Sequence, residues 1–181
     1  MADPRPARRR YDVALWIDNR LGPLACAVLL AWKRLVRRTR QPRPPEAVRR
    51  ILLLKMWGMG SIVLASPLLA RLRERFPNAR VDFLSLRENE GVIGLYPEVD
   101  RALSIDLSRG VVHFLRDTLA MIRRLRRERY DLLLDLEFFT RFSSVVSFLA
   151  APAWSHGFSA KGKWRGRLHD VEVPFNAYTH V

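Results

Sequence analysis

Residues 49–77, RRILLLKMWGMGSIVLASPLLARLRERFP, combine an apolar run, a glycine-containing turn and an amphipathic helix. The continuous hydrophobic run at 51–54 is typical of a strand buried on both faces of a parallel sheet. Gly58 and Gly60 permit a tight turn, and Ser61 can cap the helix that follows. Such a turn offers backbone N–H groups to an anion such as a phosphate. An ordinary strand-to-helix turn that binds nothing fits the same residues.

Strands and helices alternate after this stretch, which is the order of a doubly wound parallel α/β sheet. Right-handed crossovers place the carboxyl ends of such strands, and any ligand, along one edge. The glycine- and cation-rich residues 157–181 read as an ordered loop. The remaining patterns predict strands at 51–54, 80–85, 101–105, 130–136 and 154–158, and helices at 61–75, 88–95, 111–129 and 140–150.

The first fifty residues are strongly basic, with thirteen Arg and Lys against four acidic residues in a chain of net charge +14. Proline and arginine in residues 1–10 predict a disordered tail. Residues 11–40 predict an amphipathic helical leader, broken near Gly22 and Pro23. Residues 41–48 predict a linker, so the folded domain is expected at 49–181.

The apolar stripe of the leader has two interpretations. With its tryptophans and flanking arginines it suits a helix lying in the interface of an anionic membrane. A helix packed against the domain is the alternative. Residues 21–32 by themselves are too short to span a bilayer. The stripe comprises Leu15, Trp16, Leu21, Leu24, Val28, Leu29, Trp32, Leu35 and Val36.

The charge of the whole chain indicates an anionic partner, whether nucleic acid, lipid headgroups or a phosphorylated substrate. Arginines on one face of the 111–129 helix form a solvated surface or, alternatively, a nucleic-acid groove. Cys26 is the only cysteine, which excludes an intrachain disulfide and fits a reducing cytoplasm. The four histidines lack the spacing of a metal motif, so no metal site is assigned.

Candidate site residues follow the first and fourth predicted strands. Lys55 and Ser61 come after the first strand, and Asp135, Glu137 and Arg141 surround the end of the fourth. A carboxylate at a strand end is costly to bury unless it is used or paired. Glu137 therefore belongs to a site or forms an ion pair with Arg141, four residues further on.

Three blocks of sequence resemble the N-terminal half of heptosyltransferase-like glycosyltransferases, family nine. They are residues 51–85, residues 130–150 (YDLLLDLEFFTRFSSVVSFLA), and residues 165–180 (RGRLHDVEVPFNAYTH). The resemblance implies a GT-B fold of two Rossmann-like domains, the first contacting the acceptor and the second binding the nucleotide sugar. Residues 49–181 would then be the acceptor-side domain, with the donor-binding domain absent.

The resemblance also implies an activity, partners and a location. The family transfers a sugar from a nucleotide-sugar donor, without a metal or further cofactor, to a lipopolysaccharide-type glycan acceptor. The implied partners are a nucleotide sugar, a lipid-linked glycan and the anionic inner membrane, contacted peripherally from the cytoplasm, with no nucleic acid. The alternative is a non-catalytic basic α/β module that binds anionic membrane or nucleic acid.

Site roles follow from the same resemblance. The family's expected catalytic aspartate is replaced here by Ser61, which cannot accept a proton unaided. Glu137 is the substitute candidate for the catalytic base. The residues expected to bind acceptor phosphate or donor pyrophosphate are Lys55, Gly58, Gly60, Ser61, Arg141, Arg165 and Arg167.

Overall fold

A six-stranded parallel sheet forms the centre of the computed structural model, which describes residues 5–35, 44–160 and 162–175. The strand order is β3-β2-β1-β4-β5-β6, and every neighbouring pair is parallel. This confirms the predicted Rossmann-like α/β class. The strands are β1 (Arg50–Leu54), β2 (Arg80–Leu86), β3 (Arg101–Ile105), β4 (Leu132–Asp135), β5 (Trp154–Ala160) and β6 (Val171–Phe175).

Helices cover both faces of the sheet. Successive residues of β1 point to opposite faces, so Ile51 and Leu53 pack with one helical layer while Leu52 and Leu54 pack with the other. The first layer holds α2 (Met59–Val63), α3 (Ser66–Arg75) and α4 (Glu90–Ile93). The second holds α5 (Val111–Glu128) and α6 (Phe142–Ala150), and short 3-10 turns occur at Pro45–Ala47 and Arg87–Asn89.

The single helix predicted after β1 is two helices. Pro67 lies in the first turn of α3. A continuous helix would need an N–H from Pro67, and its ring would clash with the preceding turn, so the helix is interrupted at residues 64–65. Ser61 does not cap the helix, because it lies inside α2, where Gly58 is the N-cap residue.

The region beyond residue 157 was predicted as a loop, and that prediction is wrong in two places. The fifth strand continues to Ala160, and a sixth strand, Val171–Phe175, pairs with it. Within the described residues β6 is an edge strand, which tolerates Pro174 because one side of an edge strand makes no ladder hydrogen bonds.

The leader is one helix, α1 (Arg5–Leu35), with Pro23 inside it rather than at a break. It therefore includes residues 5–10, which the composition predicted to be disordered. Within it, Asp12–Leu35 is the one described helical stretch that is long and apolar enough to cross a membrane. Residues 21–32, which are too short to span a bilayer by themselves, form only part of this stretch. Residues 1–4, 36–43, 161 and 176–181, with the predictions made for them, lie outside the described residues.

The inner face of α1 packs against the domain. Cys26 and Leu29 are buried against Leu168 of the β5–β6 connection and against Val145 and Phe148 of α6. No helix forms in the described part of that connection, and α1 packs beside it next to α6. Both interpretations of the leader stripe thus keep a physical basis, since one side of the helix is packed and the other is exposed.

Candidate functional site

The candidate site lies where the strand order reverses, between β1 and β4. Such a switch point opens a crevice at the carboxyl ends of an α/β sheet, which is where these folds bind ligands. Ser61 follows β1 and Glu137 follows β4, so the two residues lie at the same edge of the sheet. As predicted, the loop after β1 and the loop after β4 lie next to each other in the structure.

Glu137 joins the two loops. Its side chain is completely buried. Oε1 accepts hydrogen bonds from the backbone N–H groups of Phe138 at 3.0 Å and Phe139 at 2.9 Å, and Oε2 accepts one from Trp57 at 3.1 Å. The carboxylate of the β4 loop is thereby held by a backbone amide of the β1 loop.

Lys55 is the ionic partner of Glu137. Its Nζ lies 3.5 Å from Glu137 Oε1 and 4.4 Å from the centre of the Phe138 ring. Burial lowers the pKa of Lys55, while the nearby Glu137 carboxylate opposes that shift. The pairing of Glu137 with Arg141 that the sequence suggested is not formed, because the Arg141 side chain turns towards α1.

This geometry bears directly on the prediction that Glu137 is the catalytic base. A carboxylate has about four lone-pair positions, and here three backbone N–H groups and Lys55 approach them. A base needs an oxygen that the acceptor hydroxyl can reach. Glu137 has no exposed oxygen in this structure, and the arrangement fits a residue that positions the two loops.

The turn after β1 presents exposed backbone. Gly58 and Gly60 are exposed, and Gly58 has φ of 86°, a left-handed conformation that favours glycine. Ser61 is half-buried, and its backbone N–H donates to the carbonyl of Gly58 at 3.0 Å. These three predicted binding residues therefore lie together beside the Lys55–Glu137 pair, and their binding role stays a prediction.

Arg141 is engaged by α1 and by the β5–β6 connection. Its Nε donates to the carbonyl of Trp164 at 2.8 Å, and one Nη lies 3.7 Å from Asp18. The side chain passes so close to Gly22 that a Cβ there would lie 2.9 Å from Arg141 Cδ. Gly22 is therefore a point of close contact rather than a helix break.

Asp18 is a residue that the sequence analysis did not select. Its Oδ1 accepts hydrogen bonds from the backbone N–H groups of Arg141 and Phe142, both at 2.8 Å. It thus caps the N-terminus of α6 from a different helix, and Lys163 lies 3.7 Å from its other oxygen. An acidic residue inside an otherwise apolar leader was the signal that could have revealed this role.

Arg165 and Arg167 lie in the β5–β6 connection and differ in their surroundings. Arg165 is buried, and its Nη2 donates to Asp135 and to Ser143, both at 2.6 Å. Burial alone would raise the pKa of Asp135, but Arg165 and His169 hold it below the usual value. The predicted binding role of Arg165 has no support in this geometry, because its guanidinium fastens the connection to the end of β4.

Arg167 is exposed and has φ of 49°. Its carbonyl, with those of Leu168 and His169, accepts hydrogen bonds from Lys33 at the end of α1. The Arg167 side chain stays a predicted binding group. Across the described residues, no group of three His, Cys, Asp or Glu side chains could hold a metal ion.

Comparison with known proteins shows which proteins this chain resembles. No protein-family model matches the chain. Over 78 residues it is 26% identical to lipopolysaccharide heptosyltransferase 3 of Escherichia coli (strain K12), a match that spans 42% of this chain and 23% of that protein. The fold is therefore supported by sequence as well as by structure, over part of the chain.

Two solved structures share the architecture. The family 9 glycosyl transferase from Veillonella parvula DSM 2008 superposes with a TM-score of 0.60 at 16% identity, covering 75% of this chain and 38% of that one. The E. coli heptosyltransferase WaaC with ADP-2-deoxy-2-fluoro heptose gives 0.61 at 18% identity, covering 72% and 44%. This chain thus spans less than half the length of the solved structures it matches.

The parallel sheet, whose strand order reverses between β1 and β4, is a Rossmann-like domain that matches part of the solved family 9 glycosyltransferase fold. More particularly, the fold is the heptosyltransferase-like fold of glycosyltransferase family 9.

Proposed function

We propose that this chain is the acceptor-side part of a glycosyltransferase that moves a sugar, of the heptose or hexose type, from a nucleotide donor to a glycan. The observation that carries the proposal is the shared heptosyltransferase-like fold, with a sequence match to a lipopolysaccharide heptosyltransferase. The solved WaaC structure with ADP-2-deoxy-2-fluoro heptose supports a nucleotide sugar as donor. The donor counts as a substrate, so the proposal includes no cofactor.

In the proposed reaction an acceptor hydroxyl attacks the anomeric carbon of the donor sugar and gives up its proton to water, and the nucleoside diphosphate departs with the electron pair of the broken bond. The turn at Gly58, which leads into α2, provides exposed backbone for a phosphate of either substrate. Glu137 and Lys55 hold this turn against the β4 loop. We therefore give Glu137 a positioning role and assign no catalytic base.

The proposed acceptor is a lipid-linked, phosphorylated glycan of the lipopolysaccharide type, met at the cytoplasmic face of the bacterial inner membrane. A net charge of +14 favours such an anionic acceptor and the anionic lipid around it. The exposed apolar side of α1 supports peripheral contact with that membrane.

The test is a sugar-transfer assay with the full reading frame of the gene, using nucleotide-heptose and nucleotide-hexose donors and a phosphorylated core acceptor. We expect transfer that falls at least tenfold in Glu137→Gln and is unchanged in Glu46→Gln, an exposed glutamate before β1. Absence of turnover with every nucleotide sugar would contradict the proposal.

The same assay separates the positioning role from a base role. Loss of a general base removes the limb of the pH–rate profile on which the base titrates. A positioning residue lowers the rate or raises KM while the shape of the profile is kept. We expect the second result for Glu137→Gln, and loss of the acidic limb would restore Glu137 as the base.

A non-catalytic basic module is the second candidate, because the exposed face of α5 carries five arginines. They are Arg116, Arg123, Arg124, Arg126 and Arg127. Tight, salt-dependent binding to random duplex DNA, in a protein that transfers no sugar, would favour this candidate.

A further inference from the structure

We propose that α1 binds an anionic bilayer as an in-plane helix, inserting its outer apolar face while its inner face stays attached to the domain. This inference rests on the membrane contact proposed above and adds the surface, the orientation and the residues. Its partner is a lipid bilayer with negatively charged headgroups.

The outer face of α1 is largely apolar beyond residue 12, with Arg20 as an exposed charged residue within it. Its large apolar side chains are between 42% and 87% exposed. At about 100° per residue they fall on one side of the helix, opposite Cys26 and Leu29. A continuous apolar surface of this length is unusual on a soluble monomer and marks an interaction surface. The set, called here the outer stripe, is Val13, Trp16, Leu21, Leu24, Val28, Trp32 and Leu35.

Charge and aromatic placement favour a bilayer as the occupant of the outer stripe. Arg20 and Arg34 are exposed and lie on the side of the outer stripe that carries Trp16. Basic residues beside an apolar helical face are attracted to anionic lipid. Trp16 and Trp32 lie about 160° apart around the helix axis at 100° per residue, at opposite borders of the outer stripe. Tryptophan favours the level of the headgroups, so both indoles suit a helix parallel to the membrane plane.

The inner face of α1 argues against a membrane-spanning orientation, although the helix is long enough to span. Asp18 caps α6 and lies near Arg141 and Lys163. Lys33 donates to three consecutive carbonyls in the β5–β6 connection, at 2.7 to 3.1 Å. For α1 to cross a bilayer, Asp18 and Lys33, and Cys26 between them, would have to leave their partners in the domain.

The two faces of α1 also connect the membrane to the candidate site. The inner face contacts Arg141, four residues after Glu137, through Gly22 and Asp18. A helix fixed at the bilayer surface would therefore hold the edge of the sheet beside that surface. A lipid-linked acceptor would then reach the site without leaving the membrane.

Vesicle co-sedimentation tests the surface. The full chain is mixed with vesicles of phosphatidylcholine containing 30% phosphatidylglycerol, and with vesicles of phosphatidylcholine alone. We expect Leu24→Asp to weaken binding to the anionic vesicles at least tenfold. Leu95→Asp makes the same change at an exposed position in the turn after α4 and should leave binding unchanged. Equal binding of both variants and the wild type, or no binding by the wild type, would overturn the proposal.

The single cysteine tests the orientation. Cys26 is fully buried at the inner face, and burial raises the pKa of its thiol to about 11. We expect the thiol of vesicle-bound protein to react with a thiol-specific reagent as slowly as that of free protein. Loss of protection on binding, reversed when the vesicles are removed, would show that α1 leaves the domain and would overturn the in-plane orientation.

A soluble acceptor separates this proposal from the proposed enzyme function. Leu24→Asp should leave sugar transfer to a delipidated, phosphorylated core oligosaccharide unchanged while it weakens vesicle binding at least tenfold. Normal vesicle binding without sugar transfer would contradict only the proposed enzyme function. Transfer without vesicle binding by the wild type would contradict the in-plane helix alone.

Discussion

The Glu137 carboxylate accepts a hydrogen bond from the backbone N–H of Trp57 at 3.1 Å, across the junction between β1 and β4. This bond and the Lys55 ion pair fix two loops that follow different strands. The edge of the sheet at the switch point is thus shaped by a buried carboxylate, and the consequences for stability can be measured.

Glu137→Gln should lower the free energy of unfolding by about 2 kcal/mol. Both carboxylate oxygens accept hydrogen bonds from backbone N–H groups, and the NH₂ that replaces one of them in glutamine cannot accept such a bond. Urea denaturation measures the change. Glu46→Gln, at an exposed position, is the matched control and should stay within about 0.5 kcal/mol of the wild type. Equal stability of both variants would mean that the buried carboxylate does not hold the loops.

Asp18→Ala should destabilise the protein by about 2 kcal/mol, since α6 loses its cap and Arg141 and Lys163 lose a nearby charge. The same variant should expose Cys26 to thiol reagents, because the α1 contact weakens. Asp12→Ala changes an exposed aspartate of the same helix, and it should neither destabilise the protein nor expose Cys26. A protected Cys26 in Asp18→Ala would show that the remaining contacts suffice to hold α1.

Two glycine-to-alanine substitutions should have opposite effects on the stability of the protein. In Gly22→Ala the new Cβ would lie 2.9 Å from Arg141 Cδ, so the side chain or the helix must shift and stability should fall. Gly91 lies in α4 with nothing within 4 Å of a new Cβ. Gly91→Ala should therefore gain about 0.5 to 1 kcal/mol from helix propensity. Thermal unfolding measures both, and a stabilised Gly22→Ala would refute the close contact.

His156 should make the protein less stable in mild acid. Burial lowers its pKa below the usual 6.5, and its Nε2 accepts a hydrogen bond from Trp154 at 3.0 Å, which requires the neutral ring. The unfolded chain then binds the proton more readily, so the free energy of unfolding falls as pH drops from about 6.5 towards the folded value.

The measurement is urea unfolding at several pH values between 5 and 8. His156→Gln keeps a hydrogen-bond acceptor but cannot titrate, so its unfolding free energy should depend less on pH than that of the wild type. Identical pH dependence in the two proteins would assign the effect to other groups.

The strands of the central sheet were predictable because their apolar runs are local signals. β1, β3 and the body of β2 lie where the sequence analysis placed them. β6 was missed because VEVPF is short, partly polar and contains a proline, and its partner β5 lies more than ten residues away along the chain. Whether a strand lies at the edge of a sheet depends on the tertiary structure, so the sequence of one short segment does not reveal it.

The edge that carries the candidate site was predictable from strand order, whereas the partners of its side chains were not. An ion pair between Glu137 and Arg141 was one of the two interpretations of Glu137, because the two residues are close in sequence. In the fold Lys55, 82 residues away, takes that place. The link from Asp18 to Arg141 spans 123 residues. Contacts of this kind follow from packing and leave little trace in local pattern.

Hydrogen–deuterium exchange of the chain with a phosphorylated core oligosaccharide tests the central claim most directly. The claim is that this acceptor binds at the carboxyl edge of β1 and β4. We predict slower exchange in residues 55–61 and 137–141, with no change around residues 44–50 at the opposite edge. Unchanged exchange in both loops at saturating oligosaccharide, or protection confined to the opposite edge, would contradict the claim.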